Sequence, residues 1–379
     1  MKFVPAEKLK AGMRLARPIF NKTGVLLYDR NTKLTRQGIS SIRNFNLIGV
    51  YILEPAEPLP PLTEEDRAFE RFQTMGVFAL RDVLSELRQY GNEGPLVKLT
   101  DEIIRHYGLK PGKITFTQNL RSAEDNVYKH SLNTAILSAA IFSKLSNDPN
   151  SARRVVMSAL LHDMGLLDVP LPILRKTTAE LTEEDYEVID KCRVNGHNLI
   201  LEKCHLDSTV LKNIALLIRD IKERRDDFHT VSIVPDMQLE TLKTAYLFDT
   251  LTAMKMGEEP KSDIEAYRFL HHPKNHVNAQ TVKALTQAIK IVPVGCCVRF
   301  TNGDKGIVLT ENEDDILRPF VLSFRDNKIY NLSDGRVFEK IQIEDVLKTM
   351  DNRHVMTDQY EKYREALKTG KAKTVSLES

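Results

Sequence analysis

The chain has 379 residues, enough for two or three domains of about 100 to 200 residues each and for a sizeable buried core. Its 54 Lys and Arg against 52 Asp and Glu leave a net charge of +2, which gives no electrostatic footprint for DNA or RNA, and no run of about 18 apolar residues offers a membrane span. Cys192, Cys204, Cys296 and Cys297 lack the paired spacing of a metal knuckle, and charged residues rather than an apolar leader follow Met1-Lys2-Phe3-Val4-Pro5, so a reduced cytoplasmic protein is expected.

Residues 1–54 read as a small strand-rich module. Leu15 to Phe20 and Val25 to Tyr28 flank the polar turn Asn21-Lys22-Thr23-Gly24, a helical stretch runs from about Arg36 to Phe45, and Val50-Tyr51-Ile52-Leu53 is a strand. The prolines at 55, 58, 60 and 61 break both periodicities, which makes 55–62 a linker. Phe69, Phe72, Phe78, Leu80, Val83, Leu84 and Leu87 recur at helical spacing, so 63–119 is a helical connector. The block 120–290 is helical throughout, with a capping box at Thr182 to Asp185 marking one helix start. Strand character returns over Val298-Arg299-Phe300, Gly306 to Leu309 and Phe320 to Phe324, with Asn302-Gly303 as a hairpin signal, and predicts a β module at 291–345. The remainder, 346–379, is a polar tail with one short helix near Gln359 to Leu367 and a basic stretch from Lys362 to Lys373 that reads as a solvated end.

The chemistry concentrates at Leu161-His162-Asp163-Met164-Gly165. An imidazole beside a carboxylate at the end of an apolar run can grip one divalent cation, nitrogen and oxygen together, and His130 lies on the preceding helix. The plainer alternative is an Asp that caps the next turn and a His that satisfies buried groups. Cys192 offers a thiolate to a metal or a small apolar side chain to a core, with packing favoured. His271-His272 falls where a helix must end before Pro273, and His197 follows Gly196 on a helix; a loop position and an ordinary hydrogen bond account for the two.

Tyr128-Lys129-His130-Ser131-Leu132-Asn133, Leu161 to Gly165, Val169-Pro170, Ile173 to Lys176, Leu181-Thr182 and Phe248 to Ala253 together resemble the HD-GYP family of helical HD-superfamily phosphodiesterases, which hydrolyse cyclic di-GMP. The flanks, with Leu9, Gly12-Met13, Val50-Tyr51-Ile52 and Val292 to Gly295, also look like regions found in such proteins. The resemblance implies a mainly α fold, an HD-superfamily helical core with a small β module on either side. It also implies a site that holds two or three metal ions, activating water for in-line attack on phosphorus.

Against that pattern the ligand set is depleted. Cys192 stands at the third-helix histidine, Ile221-Lys222 at two adjacent histidines before Glu223-Arg224, and Tyr246 at the final aspartate. Leu166 replaces the lysine after the HD turn, and no Gly-Tyr-Pro occurs in Arg225 to Val231. His130, His162 and Asp163 remain as ligands for one divalent transition metal, Fe, Mn or Zn, with Cys192 and Asp249 as further candidates. Lys222, placed at a lost histidine, is expected to point into the old cavity and neutralise Asp163 or meet a nucleotide phosphate. The expected function is a catalytically degenerate HD-GYP-like protein that binds a nucleotide or a protein partner and regulates, possible partners that exclude DNA and membrane; the alternatives are a mononuclear phosphohydrolase and a ligand-free structural adaptor.

Overall fold

The computed structural model describes residues 2–21, 23–44, 49–53, 64–226, 236–255, 258, 260–346 and 357–369. The proline-rich segment 55–62 and residues 227–231 of the window expected to carry the signature tripeptide lie outside them.

In chain order the first elements are β1 (Lys2–Pro5), β2 (Ile19–Phe20), β3 (Leu26–Tyr28), α1 (Arg36–Asn44) and β4 (Gly49–Ile52). The helical region contains α2 (Glu64–Tyr90), α3 (Gly94–Ile103), β5 (Leu120–Arg121), α4 (Asn126–Phe142), α5 (Pro149–Leu161), α6 (Leu171–Leu174), α7 (Glu183–Lys203), α8 (Ser208–Arg225), α9 (Met237–Thr252), β6 (Met254–Lys255), α10 (Asp263–His271) and α11 (Ala279–Ala288). The last stretch holds β7 (Cys297–Phe300), β8 (Lys305–Thr310), β9 (Phe320–Ser323), β10 (Ile329–Asn331), α12 (Gly335–Phe338), β11 (Ile343–Val346) and α13 (Thr357–Lys368). The chain divides into two compact units, one made of residues 1–67 and 291–379 and the other of 68–290.

In the first unit β1 pairs antiparallel with β4, and β2 with β3 across the expected turn. Their apolar faces bury Leu15, Ile19, Leu34, Ile42 and Val50 around α1. The C-terminal strands form an antiparallel sheet in the order β10-β9-β8-β7-β11, and α13 lays Tyr363 and Leu367 against its Leu309 and Leu322. Gly306 in β8 sits where a Cβ would come within 2.6 Å of the Leu322 carbonyl, so only glycine lets the two strands approach there.

In the second unit α4 is the central helix. Its residues from Ser131 to Phe142 are all buried, and α5, α9 and α11 pack around it. A helix apolar on every side belongs in the middle of a bundle. Gly76 of α2 lies so close to Leu132 that a Cβ would approach its methyl within 2.8 Å, which seats α2 on α4. The block is not helical throughout as the periodicity predicts: β5 and β6 form a short parallel pair, Leu120 opposite Met254 and Arg121 opposite Lys255. Two residues per strand are too few to leave a period-2 signal in the sequence. Among the described residues no helix is long and apolar enough to cross a membrane.

Candidate metal centre

Helix boundaries place the site. α5 is capped by Asp148, whose carboxylate accepts from the Asn150 and Ser151 amides, starts with Pro149 at the first helical position and ends at Leu161. His162 and Asp163 therefore fall at the helix end and the turn into a 3-10 segment, Met164–Asp168, where both side chains face α4 rather than stay on the helix cylinder. α4 supplies His130, and α9, capped by Asp236, supplies Tyr246 and Asp249 three residues apart on one face.

His130, His162 and Asp163 converge, each offering one ligand atom, all within 4.8 Å of one another and all buried. Nε2 of His162 lies 3.6 Å from Oδ2 of Asp163, and Nε2 of His130 lies 3.8 Å from the same oxygen. The far side of each ring is fixed. His162 Nδ1 donates to the Ala159 carbonyl at 2.7 Å, and His130 Nδ1 donates to Asp249 Oδ2 at 2.6 Å. Since a carbonyl and a carboxylate only accept, both rings carry the proton on Nδ1, and a neutral ring then presents its Nε2 lone pair to the cavity, the tautomer that a metal requires. Nε2 of His162 is a buried atom with no hydrogen-bond partner, a vacancy that proteins rarely leave. The donor set thus fits a single divalent cation, held by two imidazole nitrogens and one carboxylate oxygen.

The electrostatics keep that set ready. Burial pushes the His162 imidazole down to about 4, so the ring is neutral near pH 7. Burial alone would raise the Asp163 carboxyl, but His162 and the Arg193 guanidinium reverse the sign and hold it at about 2.

Two side chains close the cavity from the opposite side. Arg193 of α7 donates from Nε to Asp163 Oδ1 at 3.1 Å, and Tyr246 packs edge-on against both imidazoles, its ring centroid 4.9 Å from His130 and 5.5 Å from His162. Burial raises the Tyr246 hydroxyl to about 12 and keeps it protonated.

This geometry places the further candidates, and one of them, Lys222, against expectation. Cys192 does not turn into the cavity; it joins the apolar cluster of Val127, Leu166 and Val169, and its neighbour Arg193 points inward instead. The reason is a close backbone crossing. A Cβ on Gly165 would meet the Cys192 carbonyl, and one on Gly196 would meet Gly165, so α7 lies directly on the turn after Asp163 and its rotation is fixed. Lys222 is exposed and does not neutralise Asp163, a task that falls to Arg193. Asp249 does not join the three ligand residues; it stands behind His130, where its Oδ1 accepts from Arg121 at 2.6 Å, Gln118 at 2.8 Å and Asn133 at 3.1 Å. Burial opposes its ionisation, but Arg121 and the His130 hydrogen bond prevail and hold its carboxyl well below the usual range.

Leu166 packs with Val127 and Val169. The capping box forms at Thr182 and Asp185, His197 accepts its ordinary role by bonding the Leu211 carbonyl, and α10 ends at His271 ahead of the proline. Arg193 and Arg121 are the site residues that sequence reasoning missed. Arg193 adjoins the aligned cysteine and needed only a shift of one helical position; Arg121 lies in a non-helical segment with no pattern to announce it.

Residues 115–280 match the HD domain family model. Over 230 residues, 60% of this chain, the sequence is 26% identical to cyclic di-GMP phosphodiesterase PA4108 of Pseudomonas aeruginosa, and over 97 residues, 26% of this chain, it is 34% identical to cyclic di-GMP phosphodiesterase PdeB of Borreliella burgdorferi. The matched stretches span 54% and 24% of those relatives' own lengths. Among solved structures, Bd1817, a HDG"Y"P protein from Bdellovibrio bacteriovorus, aligns with a TM-score of 0.45 and 16% identity over 75% of this chain and 97% of its own. The match to the HD domain lies within the helical unit, and the relatives support an HD-GYP-like family.

Proposed function

We propose that this protein is a catalytically degenerate HD-GYP-like regulator that works by binding within cyclic di-GMP or related nucleotide signalling. The observation that carries the reading is Arg193. Its guanidinium stays charged at any physiological pH, occupies the second oxygen of Asp163 and is nine-tenths buried, so it repels further cations from the side where a metal cluster would grow. Tyr246 fills the adjoining space with an aromatic ring where an anionic ligand would be needed. The relatives' catalytic names support the link to cyclic di-GMP. The test is direct: the full chain incubated with cyclic di-GMP and Mn²⁺ or Fe²⁺ should release no product at a rate near about 1 per second, the lower end of ordinary enzyme turnover. Turnover at that rate, or two metal ions per chain by elemental analysis, would overturn it.

A second reading, a mononuclear phosphohydrolase, draws on the unpartnered Nε2 of His162. A divalent ion bound there would supply Lewis acidity and lower the pKa of a water. On this reading His130, His162 and Asp163 hold the ion, Asp249 fixes the His130 ring, and Arg193 receives a phosphate oxygen after yielding Asp163. One transition metal per chain, lost in His162→Ala together with hydrolysis of a phosphomonoester, would favour it over the first.

A further inference from the structure

Apart from the buried centre, the second unit carries an open groove of about 480 Å³, lined by Arg81, Ser85, Arg88 and Gln89 of α2, Tyr128 of α4 and Leu167 of the 3-10 turn. That volume lies within the range of small-molecule sites, roughly 300 to 1,000 Å³. The four α2 residues recur at three- and four-residue intervals and so share one helix face. They put two guanidiniums, a hydroxyl and a carboxamide along a single wall.

The cations are arranged for use. Arg81 is exposed, and no carboxylate pairs with it among the described residues; its guanidinium carbon lies 4.9 Å from the Tyr128 ring centroid. A guanidinium resting on an aromatic face is held in orientation, while its N–H groups, which lie in its own plane, remain able to donate in the fork that suits a phosphate. Arg88, two turns along, pairs with Asp168, a half-exposed carboxylate at the end of the turn that follows Asp163. That partner is one an incoming dianion can displace. A bare phosphate would fill only part of the groove, leaving the space beside Ser85 and Gln89 for an uncharged polar group.

We infer that this groove binds a phosphomonoester of nucleotide size, its phosphate on Arg81 and Arg88 and its organic part against Ser85 and Gln89. The inference goes beyond the function proposed above and needs no metal. Tyr128 stands two residues before His130, and Leu167 stands four after Asp163, so an occupant would touch α4 and the turn after Asp163, two of the elements that build the buried centre.

Calorimetric titration of the full chain with GMP and AMP, with inorganic phosphate as the reference, tests it. The expected results are that a nucleotide binds more tightly than phosphate, that Arg81→Ala weakens it about tenfold or more, as the loss of a charge-assisted hydrogen bond should, and that Asp168→Asn tightens it by freeing Arg88. Binding should be unchanged after treatment with EDTA. No heat with either nucleotide at millimolar concentration, equal affinity in Arg81→Ala, phosphate binding as tightly as the nucleotides, or loss of binding with EDTA would each overturn the inference. None of these outcomes bears on whether cyclic di-GMP is hydrolysed, so the two proposals fail separately.

Discussion

The two sides of the candidate metal centre differ in character. On the α4 and α5 side, His130 and His162 keep their inward nitrogens, and each outer nitrogen is held by a dedicated acceptor, Asp249 or the Ala159 carbonyl. On the α7 and α9 side stand an arginine bonded to Asp163 and an aromatic ring. The difference teaches that the supports behind a candidate ligand also serve stability. The Arg121–Asp249 pair is wholly buried, and removing either member strands a charge in the core whether or not a metal binds. The opposite side follows the same rule with a different pair, since Arg193 balances the buried charge of Asp163.

The largest effect should come from breaking that support. Arg121→Met leaves Asp249 without its cation and is expected to destabilise the chain by about 3 to 5 kcal/mol in urea unfolding. A loss below about 1 kcal/mol would mean that Gln118, Asn133 and His130 suffice. Next is a pH effect at His162. Its folded pKa, about 4, lies below the ordinary 6.5, so the unfolded chain takes up the proton first as the solution is acidified. The contribution is complete above about pH 6.5 and disappears as pH falls toward 4, amounting to about 3 kcal/mol at about 1.4 kcal/mol per unit. Unfolding of the wild type and of His162→Gln between pH 7 and 5 checks this, the variant having the flatter dependence. Asp163 has the same sign but acts lower, between about pH 4 and 2, so the two do not overlap.

A smaller effect sharpens the comparison itself. Arg193→Gln removes the guanidinium from Asp163 and should tighten Mn²⁺ binding by about tenfold or more, read as a larger rise in Tm on adding the metal than the wild type gives. Equal metal response in both proteins would show that Arg193 does not govern the cavity. Least of all, Lys222→Ala should change stability by no more than about 0.5 kcal/mol, as at an ordinary exposed position. A greater loss would restore the lysine to the site from which its exposure removes it.

Much of this was legible in one dimension. The strands at both ends, the long helices between them and the termini of α7 and α10 follow from hydrophobic period, turn residues and capping, because these are local preferences that repeat along the chain. The trio His130, His162 and Asp163 was legible too, since the HD turn brings two of the ligands together by adjacency and the third lies on the next helix in the bundle. The short β5–β6 pair was not, because four residues pairing across more than 130 positions leave no periodic trace.

The sequence by itself determined the kind of scaffold and the three residues His130, His162 and Asp163 that could hold a metal ion. Only tertiary structure decided which side chains surround them. Which of Cys192 and Arg193 faces the cavity depends on the rotation of α7, and that rotation is set by Gly165 and Gly196, whose missing side chains let two backbones touch. Whether Asp249 meets a metal or a histidine depends on Arg121, brought beside it by strand pairing. Helical periodicity says which residues share a face; the contacts of the packed helix say where that face points.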